Sequence, residues 1–117
     1  MRIIDRKISD GPAVAEGDVV TLLYKCALSE EDLEAGNIID SNYSPDNPIE
    51  VTVSKEQLLP GVYAALLGMR SGGSVRRVTL EPAEAYSQHG WKTVPPNSSL
   101  VVELCPIKLR PSQRDKD

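Results

Sequence analysis

The sequence predicts an α+β domain: a twisted antiparallel sheet of about five strands with one short helix across a face. Three observations lead there. Short runs rich in Val, Ile, Leu and Thr recur between turn residues, at 19–28, 49–53, 74–80 and 100–109. One segment, 60–67, carries helical apolar content between Pro60, suited to a first helical position, and Gly68, suited to a C-terminal cap. The intervening stretches are rich in Pro, Gly, Asn, Ser and Asp, the residues of turns.

In chain order, residues 1–10 read as an N-terminal strand or arm, 11–109 as the domain, and 110–117 as a charged, frayed tail. Glu16-Gly17-Asp18 is a turn that opens the first buried strand, Val19 to Leu28. Ser29 to Asn37 is acidic and fits a helical turn or a hairpin loop equally well; its run Glu30-Glu31-Asp32 has no calcium-loop spacing and reads as solvated. Ile38-Ile39 resumes a strand that ends at the carboxylate of Asp40, and 42–48 is a loop. Ile49 to Val53 alternates apolar and polar, which buries one face. After the helix, 70–73 turns into the strand 74–80, where Arg76-Arg77 reads as an exposed pair. Residues 81–85 form a proline-started turn or half-helix, and 88–96 is irregular. The last strand, Leu100 to Leu109, holds Pro106, which marks a bulge or a sheet edge.

Composition excludes several classes of function. With 117 residues the chain is one domain, long enough for a core without disulfides. A net charge of −4 opposes the basic face that nucleic acids require. No signal peptide is visible at the start, and no apolar run reaches the roughly 18–20 residues of a membrane span. The expectation is a cytoplasmic monomer. Cys26 and Cys105 are read as reduced thiols in preference to a disulfide. With His89 the single histidine, and itself best read as a solvated loop residue, they cannot complete a tetrahedral zinc site. No metal or cofactor is expected. There is no Phe, and the aromatics are Trp91 and four Tyr, so the core must be aliphatic.

The chemistry-bearing residues are few. Asp40 closes an apolar pair, and Tyr86 precedes the rigid turn Val94-Pro95-Pro96-Asn97-Ser98-Ser99-Leu100 and the apolar run Val101-Val102-Glu103-Leu104. This pattern suggests a greasy pocket with two polar groups. It offers no nucleophile–base pair. Taken singly, Tyr24 and Tyr86 are ordinary half-buried tyrosines, Asp40-Ser41 is a strand-ending turn, and Trp91 is a packed loop anchor.

Together the motifs are collinear. Gly17-Asp18, Tyr24, Asp40-Ser41, Pro60-Gly61, Gly68-Met69 with Gly72 or Gly73, Ala85-Tyr86 and Val94 to Leu100 resemble, in order and spacing, the FKBP-type peptidyl-prolyl isomerases, over residues 11–109. The resemblance implies a sheet half-wrapped around the helix with a pocket between them. Tyr24, Ile39, Asp40, Ile49, Leu58, Leu59, Val62, Tyr86, Val94 and Val102 would line it. The Leu59 N–H and the Tyr86 hydroxyl would donate to substrate carbonyls. Tyr24, Asp40 and Tyr86 would be the catalytic set, and Trp91 would lean over the rim.

The chain also departs from the family. Ile39, Ile49, Val62 and Val102 stand where the family usually has aromatics, and the floor, typically Trp, is Val62. Ser87 follows Tyr86 where Gly is preferred, and the loop before Val94 is a residue short. The implied function is isomerisation of X-Pro bonds in protein substrates, at reduced activity, with weakened macrolide binding. The alternative is a non-catalytic FKBP-like protein-binding or chaperone module.

Overall fold

A computed structural model describes residues 1–42, 48–85, 95 and 97–112. Among them are six strands, two short α-helices and one 3₁₀ turn. The strands are β1 (Arg2–Lys7), β2 (Val19–Ala27), β3 (Asp40–Ser41), β4 (Ile49–Thr52), β5 (Val75–Leu80) and β6 (Leu100–Arg110). They form one antiparallel sheet in the order β1-β5-β6-β2-β3, with β4 also paired to β2. β2 therefore serves two short partners along one edge: β4 beside residues 19–22 and β3 beside 25–26.

The crossing helix is α2 (Pro60–Leu66), with Pro60 in its first turn as the sequence indicated. It ends at Gly68, whose φ of 84° lies in the left-handed region that favours glycine. The Gly68 N–H donates to Val14 O, and Val14 N–H to Met69 O, so residues 12–14 clasp the helix end. At the other end α2 lies close to the sheet: a Cβ at Gly61 would come within 2.4 Å of Leu80 Cδ2. Val62, Ala65 and Leu66 bury against Val20, Leu22, Val78, Leu80, Leu100 and Leu104, a core built without a phenylalanine.

The structure corrects some expectations and decides between the alternatives left open by others. Residues 29–37 hold a helix, α1 (Glu30–Ala35), capped by the Ser29 hydroxyl on the Asp32 N–H and closed by left-handed Gly36. Its acidic run thus forms a first helical turn, where carboxylates complement the helix dipole. Ile38 and Ile39 precede the strand, which starts at Asp40. Arg77 is buried: it lies beneath α1 and bonds Glu103 at 3.0 Å and Glu34 at 2.5 Å. Arg76 is half-buried and holds Asp5 and the Ala65 carbonyl. The last strand extends through Arg110, which pairs with Val19, so the tail begins one residue later than expected. Pro106 sits in a central strand at a bulge; the register skips Ile107, and Gly73 and Gly72 N–H groups bond the Pro106 and Ile107 carbonyls. Among the described residues no helix is long and apolar enough to cross a membrane.

Candidate functional site

Period-two alternation builds the site. On β2, Leu22, Tyr24 and Cys26 point to one face; on β6, Leu100, Val102 and Leu104 do the same; on β4, Ile49 and Val51 continue it. The turn before α2 contributes Gln57, Leu58 and Leu59, and the first turn of the helix contributes Val62. The seven-residue α2 covers part of this face and leaves a cleft of about 240 Å³ beside its N-terminus.

The walls are aliphatic, and the polar side chains are few. Tyr24 donates its hydroxyl to Asp40 Oδ2 at 2.9 Å, across β2 and β3. The pairing of Cys26 with Asp40 and Lys25 with Ser41 fixes the strand that carries the carboxylate. Burial, then the nearby Asp40 charge, pushes the Cys26 thiol up to about 11, so it stays protonated at neutral pH. Cys105 is also buried, and neither cysteine is in a disulfide among the described residues. Leu59, the residue before α2, has φ −56° and ψ 143°, and its carbonyl accepts the Tyr63 N–H. Among the described residues no cluster of His, Cys, Asp and Glu could hold a metal ion.

The cleft thus brings together Tyr24, Asp40, Ile49, Leu58, Leu59, Val62 and Val102 from the residues expected of it. Ile39 is not among its walls: lying in the bend before β3, it packs against the edge of the core. Tyr86, Trp91 and Val94 lie outside the described residues, as do His89 and Ser87. Sequence reasoning missed Leu22, Cys26, Val51, Gln57, Leu100 and Leu104. Five of these six follow from the same alternation, counted two residues either way from Tyr24, Ile49 and Val102.

A model of the family described as FKBP-type peptidyl-prolyl cis-trans isomerase matches residues 11–104. The chain belongs to that family. Over 108 residues it is 33% identical to FK506-binding protein 4 of Chaetomium thermophilum, covering 92% of this chain and 21% of that protein. Over 92 residues it is 34% identical to FK506-binding protein 5 of Dictyostelium discoideum, covering 78% of this chain and 6% of that one. The chain therefore spans about a fifth or less of the length of these relatives. Its fold matches FkpA from Escherichia coli with a TM-score of 0.78 at 24% identity, covering 94% of this chain and 48% of that one. A peptidyl-prolyl cis-trans isomerase from Pseudomonas syringae aligns with a TM-score of 0.76 at 21% identity, covering 93% and 74%. The residues that line the cleft between α2 and the sheet all lie within the span that matches the family.

Proposed function

We propose that this cleft catalyses cis–trans isomerisation of X-Pro bonds in protein substrates by desolvation and orientation, at reduced activity. The observation that carries the reading is an aliphatic hollow holding an anchored polar pair, Tyr24 and Asp40. Amide resonance resists rotation, and water favours the planar, charge-separated form. The twisted transition state is less polar, so dry walls favour it over the ground state. No proton is transferred overall, and no nucleophile is called for.

In this mechanism Ile49, Leu58, Val62 and Val102 exclude water around the prolyl ring. The Leu59 N–H orients one substrate carbonyl, and Tyr86 is assigned the second donor on sequence alone. Such donors contribute about 0.5–1.5 kcal/mol each. Asp40, held by Tyr24, presents a fixed acceptor at the rim. The aliphatic floor at Val62 offers no ring to stack on proline, which supports the reduced activity and weak binding of FK506-type macrolides.

The reading extends to a monomer in a reducing compartment such as the cytoplasm, with a part in protein folding. Two buried cysteines outside any disulfide, and only four exposed large hydrophobics, among the described residues, support the setting. A protease-coupled prolyl assay on peptides varied before proline tests the core claim. Accelerated exchange is expected; turnover equal to buffer would end the isomerase reading and leave a binding module.

A further inference from the structure

We infer that Asn42 is the positioning residue for the Tyr24–Asp40 pair, a deepening that rests on the isomerase reading of the cleft. β3 is only two residues long, and Asn42 follows it directly. At Asn42 the backbone still donates its N–H to Tyr24 O, at 3.0 Å. A continuing antiparallel ladder would return the Asn42 carbonyl to the Tyr24 N–H. Here the side chain takes that place: Asn42 Oδ1 accepts the Tyr24 N–H at 2.6 Å. Its Nδ2 then donates to Leu22 O at 2.9 Å. The amide orientation follows from these partners, since an N–H requires the oxygen and a carbonyl requires the nitrogen.

The side-chain amide thus stands in for a peptide group. It fills the stretch of β2 between its pairing with β4, which ends at Leu22, and its pairing with β3, which begins at Lys25. Both residues it engages, Leu22 and Tyr24, line the cleft. Tyr24 in turn holds Asp40. Three hydrogen bonds from one residue therefore fix the backbone that aims the Tyr24 ring, and with it the carboxylate at the rim.

The test combines turnover with a readout on Tyr24 itself. Asn42→Ala should lower kcat/KM about tenfold, the equivalent of about 1.4 kcal/mol in the barrier. It should also displace the NMR resonances of the Tyr24 ring and Asp40 carboxyl. Asn42→Asp keeps the shape and the acceptor but loses the donor, so it should fold and show an intermediate loss. In a Tyr24→Phe background, Asn42→Ala should cost less than about twofold more, because both changes act through one group. Effects that multiply independently, or Tyr24 resonances that stay in place, would overturn the inference. Should the unmodified protein give no turnover, the isomerase reading fails, and the resonances alone decide the positioning role.

Discussion

The two faces of the same strands differ in what covers them. On β6, Leu100, Val102 and Leu104 face the cleft, while Val101 and Glu103 face the other way. The outer face is closed by α1, whose Leu33 packs on Ala27 and Val101. Around that patch Arg77 gathers Glu30, Glu34 and Glu103, with Lys25 at 3.7 Å from Glu103. The inner face is more apolar, yet α2 leaves part of it unfilled. Alternation sets which residues face each way; how much of the face its helix covers, and not the helix's length, decides whether that face becomes structure or a ligand cleft, since α1 has six residues and α2 seven.

Breaking the outer face should give the largest effect. Arg77→Ala removes the hydrogen-bonded partner of buried Glu103 and leaves it Lys25 at 3.7 Å; breaking such a buried pair costs about 3–5 kcal/mol. Urea unfolding should record that loss, while kcat/KM per folded molecule stays within about twofold, because the two sites lie on opposite faces of the sheet. A parallel collapse of turnover would break the comparison.

The inner face should respond differently. Leu104→Ala removes a side chain that is 1% exposed but borders an existing hollow. Water can enter the enlarged cleft, so the cost should fall at the low end of such truncations, about 2–3 kcal/mol. Turnover should fall with it, since the walls are no longer dry. Val62→Trp runs the other way, placing a ring where the resemblance expects one. The expected gain is about tenfold in kcat/KM, about 1.4 kcal/mol of barrier. A loss of stability with no gain in rate would show that the cleft is already as full as it can be.

How much of this was legible in the sequence follows the range of the interactions involved. α2 could be read because Pro60 and Gly68 act locally on the backbone. The cleft walls could be read in outline from Tyr24, Asp40 and Val102, and more fully by counting in twos along β2, β4 and β6. The acidic segment concealed α1, although Ser29 and Gly36 carry its caps, because Leu33 is its only buried residue. Arg77 was misread for a deeper reason. Its partners lie 26 and 43 residues away, and no local pattern tells a strand arginine that it will be roofed by a helix.

The smallest expected effect concerns acid. Glu34 is faced by Arg77 of β5, Arg6 of β1 and Lys25 of β2. The hydrogen bond from Arg77, followed by its charge, holds the Glu34 carboxyl below its ordinary value of 4.5. A carboxyl depressed in the folded state adds stability above its unfolded pKa and loses that contribution as pH falls through the folded one. The docking of α1 should therefore be flat from neutrality to about pH 4.5 and weaken below it. Glu34→Gln should remove that acid-dependent part, read as the Leu33 amide resonance against pH. Glu34 is exposed, so salt should blunt the effect as well. A Leu33 profile unchanged in the variant would assign the anchoring of α1 to Leu33 packing and to Glu30, and the outer face would then be held as the inner one is, by apolar surface first.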